Sequence, residues 1–182
     1  MSLSGDVVTA VFSGEFYIES PDRSAGIKVI SAADVKEQDV VDIAGVVGRN
    51  SVERVVTATS VYVSATGWVG PLYLSNRDLG GAGDAVVPGV SGGVGLNNVG
   101  LLVTTSGKVT FVGYDYIYID DGSNPSGEGG CAGVKVSSEE TSDLSEGSVV
   151  VVTDIITLES DGTTFWPFVR TRNYSDMVVR VY

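Results

Sequence analysis

An Ala-Gly-(Ile/Val)-Lys-Val block occurs twice, as Ala25 to Val29 and as Ala132 to Val136, each time after an aromatic-rich stretch with strand alternation. The first such stretch is Glu15-Phe16-Tyr17-Ile18-Glu19 and the second is Tyr116-Ile117-Tyr118-Ile119-Asp120. In a pleated strand successive side chains point to opposite faces. Phe16 and Ile18 therefore point inward with Ile117 and Ile119, while Glu15, Tyr17 and Glu19 point outward with Tyr116, Tyr118 and Asp120. A hairpin repeated in this way predicts a tandem duplication of one small β unit.

The rest of each repeat completes a five-strand pattern. In the first, Gly5 to Phe12 reads as a bent strand, Ser20-Pro21-Asp22-Arg23 as a turn, and Ser31 to Gln38 as a short helix or turn. Val40 to Val47 and Arg54 to Val63 supply two further strands. In the second, Leu101 to Val112 repeats the first strand. Ser148 to Leu158, led by Val149 to Val152, reads as a strand buried on both faces, and Asp161-Gly162 turns the chain into Phe165 to Thr171. Tyr174 to Tyr182 is expected to cover a barrel edge. Five strands with a turn or helix after the third is the count and order of an OB-fold, a small Greek-key barrel. The predicted class is all-β, with two tandem five-stranded OB-like barrels over residues 1–66 and 101–182.

Between them, residues 67–100 hold ten glycines and few charges. A flexible linker is one possibility, but Trp68, Leu72, Tyr73, Leu74, Leu79, Val86, Val87, Val90, Val94, Leu96 and Val99 bring more apolar surface than a solvated linker tolerates. An ordered connector packed between the barrels is expected. Gly80-Gly81-Ala82-Gly83 and Gly92-Gly93-Val94-Gly95 lack the Lys-Ser/Thr of a phosphate-binding loop.

The chain of 182 residues carries 11 Lys and Arg against 23 Asp and Glu, a net charge of −12, which disfavours unspecific attraction to a polyanion. With no His and the single Cys131, neither an intramolecular disulfide nor a zinc cluster can form, and no metal or other cofactor is expected. Charges and glycines interrupt every valine cluster, so no membrane insertion is expected. Met1 to Gly5 lacks the features of a signal peptide. Since Gly5 to Val8 reads as the middle of a strand, the sequence is expected to be part of a longer chain.

Gly92 to Val103, followed by Gly107-Lys108-Val109-Thr110 and Tyr118 to Ser123, together with Asn76 to Gly81, resembles segments of large, poorly characterised secreted or cell-surface bacterial proteins. Those segments look like OB-fold-like modules at the ends of bigger extracellular chains. The resemblance implies an extracellular or cell-surface location and brings no catalytic motif.

Two constellations stand out. Tyr17 with Lys28, and Tyr116 and Tyr118 with Lys135, occupy the strand-two and strand-three surface on which OB-folds hold ligands by stacking and by cations. They form either a ligand face or a plain barrel wall of cross-strand Tyr/Lys pairs, and Glu15, Glu19 and Asp120 beside them would repel phosphates. The acidic loop Asp120 to Glu128 offers oxygens for a hard cation or is a turn with exposed carboxylates. Enzymatic chemistry has little support, because there is no His for general base work and no Gly-x-Ser-x-Gly elbow. The expected function is a non-catalytic binding or assembly module that recognises a glycan or a protein surface. The alternative is single-stranded nucleic-acid binding, which the fold permits and the charge opposes.

Overall fold

The computed structural model describes residues 1–84 and 86–180. The first repeat forms β1 (Ser2–Phe12), β2 (Glu15–Glu19), β3 (Gly26–Ile30), β4 (Asp39–Arg49) and β5 (Arg54–Thr66). These close into a barrel in the order β1-β2-β3-β5-β4, with β4 returning to β1. All pairs are antiparallel except β3 with β5. β1 serves two partners because it bends. Its first half pairs with β4 and its second with β2, and the register slips between Ser4 and Asp6 and again between Val8 and Ala10. Such slips let one strand turn a barrel corner. Val8, Phe16, Ile18, Val29, Val41, Ile43 and Val56 fill the interior, each buried side chain being worth roughly 1.5 to 3 kcal/mol.

Residues 31–38 form no helix. Ser31 Oγ accepts the Ala33 N–H and the Asp39 carboxylate accepts the Lys36 N–H, so side chains take donors that a helical turn would need. The segment instead lowers Val35 onto the barrel core.

The connector contributes β6 (Leu72–Tyr73). The second repeat then forms β7 (Leu102–Val112), β8 (Tyr116–Asp120), β9 (Val134–Ser137), β10 (Val149–Ser160) and β11 (Phe165–Arg170). A second closed barrel results, β7-β8-β9-β11-β10, again with the third and fifth strands parallel. β6 adds to the free side of β7, and β12 (Met177–Arg180) pairs with the start of β10. Of the carboxy-terminal stretch expected to cover an edge, Val181 and Tyr182 lie outside the described residues. The valine run does not behave as expected: Val150 and Val152 are buried, whereas Val149 and Val151 are only half-buried. Burial on both faces begins further on, from Asp154 to Leu158, where the other barrel covers the outer side.

The connector is ordered mainly against barrel 2. Leu79 is buried in that core, with Leu72 and Leu74 packed on it. Asn76, fully buried, pins the segment down: its amide nitrogen donates to Thr105 Oγ1 (2.8 Å) and the Ser106 carbonyl (3.2 Å). Its side-chain oxygen accepts the Asp121 N–H while its own N–H is donated to the Asp121 carboxylate, both at 2.9 Å. Trp68, Tyr73, Val94 and Leu96 stay exposed, so only part of the connector's apolar content is used for packing.

The barrels meet through the outer side of β1 and β2 on one and of β10 and β11 on the other. Ala10, Tyr17 and Ile155 form a shared buried cluster edged by Phe12 and Leu102. At its margin the backbones of Gly26 and Gly100 approach so closely that a Cβ on Gly26 would collide with the Gly100 carbonyl. Arg172 bridges the seam by donating to the Thr9 carbonyl (3.3 Å) and pairing with Glu37 at 2.7 Å, and it is held from its own side by Asp154 and Asp176.

Candidate binding face

The register places the two Tyr/Lys pairs identically: Tyr17 stands opposite Lys28, and Tyr118 opposite Lys135. Their surroundings differ. In barrel 1 the expected exposed face does not exist, because barrel 2 covers it. Tyr17 is completely buried and Lys28 is 8% exposed. Lys28 Nζ lies 2.6 Å from Glu53 and 3.5 Å from Glu15, and 5.3 Å from the centre of the Tyr17 ring. The Tyr17 hydroxyl donates to the same Glu53 carboxylate at 3.0 Å. Burial, with the Glu53 charge beside it, raises the Tyr17 phenol far above its ordinary value. Glu15 is drawn the other way: burial alone would raise it, but Arg170 from barrel 2 and Lys28 hold it below the usual carboxylate range. Arg170 also sits 3.8 Å from the centre of the Phe12 ring. Glu19 points outward as alternation requires, yet it is fully buried in the seam. One carboxylate oxygen accepts the Leu102 N–H at 2.9 Å and the other has no partner among the described residues. Burial pushes its pKa up to about 7.

In barrel 2 the same face is left uncovered by any barrel. Tyr118 is nonetheless buried, contrary to its expected exposure, because residues 121–133 fold back over it. Gly127 lies so close that a Cβ there would strike the Tyr118 ring, and Ala132 supplies a carbonyl that accepts from Thr110 Oγ1 at 2.6 Å. The extra length of this loop thus does for Tyr118 what barrel 2 does for Tyr17. Around it lie Phe111 and Tyr116, stacked with ring centres 5.9 Å apart and planes 23° from parallel. Tyr116 meets Tyr118 edge-on at 5.9 Å. Phe111 is 39% exposed, and Tyr114, at the tip of the hairpin between β7 and β8, is 94% exposed. Lys135 lies over the Tyr116 ring at 4.5 Å and pairs with Glu159 at 2.7 Å. The result is a half-open aromatic shelf whose one lysine is already neutralised.

The acidic loop is organised by its own backbone. Asp120 accepts the N–H groups of Gly122 and Asn124, and Asp121 accepts those of Ser123 and Asn76. Among the described residues no cluster of metal-ligating side chains forms there or elsewhere.

Five of the residues that define this surface, Glu53, Glu159, Arg170, Phe111 and Tyr114, were not expected from sequence. One signal for Glu53 exists. Parallel pairing sets Lys28 opposite Val55, so Glu53, two positions earlier, lies on the same face. No protein-family model matches the chain, and no curated protein matches it either.

Proposed function

We propose that the chain is a non-catalytic binding module that recognises a glycan through the aromatic shelf of barrel 2. The observation that carries this reading is the half-open Phe111–Tyr116 stack, with Tyr114 exposed at the tip of the same hairpin. A pyranose ring has an apolar C–H face that can lie on such a stack, burying apolar area on both sides. The Lys135–Glu159 pair over the Tyr116 ring offers a donor and acceptors for hydroxyl groups. A protein surface is the second candidate, favoured by one fact: the equivalent face of barrel 1 already receives a protein, namely barrel 2. Location at a cell surface, within a longer bacterial chain, rests on the sequence resemblance alone.

Nucleic acid is disfavoured by charge. Lys28 and Lys135 both face carboxylates at contact distance, which leaves neither free to displace counterions from phosphate. The non-catalytic reading is supported by the burial of Glu19 and Asp154, the two carboxyls raised most, within the barrel seam.

A glycan-array screen with the full chain is expected to find a sugar whose binding falls at least about tenfold in Phe111→Ala, a loss of about 1.4 kcal/mol. Binding of no sugar overturns the glycan reading in favour of a protein surface. Salt-dependent binding of a labelled oligonucleotide at low ionic strength would instead establish the nucleic-acid alternative.

A further inference from the structure

A cavity that shares no lining residue with the aromatic shelf lies at the start of β3, where barrel 1 opens beside Gly26 into a space of about 340 Å³. Its apolar walls are Leu3, Ile18 and Ile27 from barrel 1, Val99 at the end of the connector and Leu101 just before β7. This volume falls in the range of about 300 to 1,000 Å³ common for small-molecule sites.

Asp6 lines the same cavity and is only 8% exposed. One of its oxygens accepts from Ser20 Oγ at 3.0 Å, and the other accepts no hydrogen bond from the described residues. Burial raises its pKa, and the nearby carboxylates of Asp22 and Asp42 raise it further, which marks the local field as negative. A carboxylate whose spare oxygen opens onto a mainly apolar chamber is a ready acceptor for a donor, best a cationic one. Two residues on the lining carry cationic groups: Met1, whose α-ammonium donates to the Gly45 carbonyl at 2.7 Å, and Arg54, which lies within the field of Asp84, whose carboxyl is held low by the Val87 and Val86 N–H groups and by Arg54. Glu53, also on the lining, is engaged by Lys28 and Tyr17. Asp6 is therefore the carboxylate on the lining left for a guest.

We propose that this cavity binds a small organic ammonium ion, its apolar body among Leu3, Ile18, Ile27 and Val99 and its ammonium group donating to the unpartnered oxygen of Asp6. Because the chamber is walled on one side by barrel 1 and on the other by the connector, the guest also ties these two parts together. The site is independent of the aromatic shelf and stands whether or not a glycan binds there.

The test uses the full chain and three probes of matched shape: phenethylamine, phenethyl alcohol and hydrocinnamate. Binding is followed at neutral pH by calorimetry and by the methyl resonances of Leu3, Ile18, Ile27 and Val99. The amine is expected to shift those methyls and to bind at least about tenfold more tightly than the alcohol, with hydrocinnamate weakest of the three. Asp6→Asn should bring the amine down to the level of the alcohol, and Val99→Phe, which fills the chamber, should remove both. Hydrocinnamate binding as tightly as the amine, or the absence of methyl shifts with every probe, overturns the proposal. The comparison of amine with acid needs only the unaltered protein, so it decides the matter even if Asp6→Asn fails to fold.

Discussion

Glu53 is the residue on which the first barrel's polar seam depends. It accepts from the Tyr17 hydroxyl and faces the Lys28 ammonium, both of them shut away from solvent. Removing one member of a buried pair leaves the other charge uncompensated, at a typical cost of about 3 to 5 kcal/mol. Glu53→Ala is expected to destabilise by that much in urea unfolding. Lys135→Ala breaks the counterpart pair with Glu159, whose side chains are 18% and 26% exposed, and should cost less than about 1 kcal/mol. Equal losses in the two variants would show that burial does not separate the pairs. The two lysines occupy the same place in the repeat, but their partners and what lies over them differ.

At the level of strands and loops, most of the architecture was legible in the sequence. The repeated hairpin and the alternation of Phe16 and Ile18 against Tyr17 predicted the barrels, because alternation reports which way a side chain points relative to its own sheet. It does not report what lies beyond that sheet. Tyr17, Glu19 and Lys28 point outward as expected, but the space they point into is filled by Ile155, Leu102 and Arg170 from a unit more than 70 residues away in the chain. The burial of Tyr118 leaves no mark in the sequence for a related reason, since the loop over it is long and Gly-rich and carries no periodic pattern. Its fit depends on Gly127, just as the seam depends on Gly26. Gly26→Ala would drive a methyl group into the Gly100 carbonyl and is expected to cost about 1 to 3 kcal/mol, by analogy with overpacked cores. The same variant should speed hydrogen exchange at the Leu102 amide, the donor to Glu19 across the seam. Unchanged exchange there would mean that the barrels do not part at this contact.

For the molecule as a whole, the seam makes stability depend on pH in an unusual direction for carboxylates. Glu19 has its pKa raised by burial from an ordinary 4.5 to about 7. Between those values the folded protein holds a proton that the unfolded chain has released. Its stabilising contribution is therefore complete below about pH 4.5 and is lost as pH rises through about 7. Asp154, raised by burial with Asp176 adding to it against the pull of Arg172, works in the same sense. The melting temperature is expected to fall from about pH 5 to about pH 8, and Glu19→Gln, which keeps an acceptor for the Leu102 N–H, should flatten that fall. A slope unaffected by Glu19→Gln would assign the effect to groups elsewhere.

The loop folded over Tyr118 gives the pair of barrels a direction. Barrel 1 presents a bare seat on which its successor rests, but the matching seat on barrel 2 is already occupied by that barrel's own residues 121–133. A further unit could not mount barrel 2 as barrel 2 mounts barrel 1 without first displacing Gly127 from the tyrosine ring. Stacking by this contact is thus self-terminating: the rule that joins the first unit to the second is cancelled within the second.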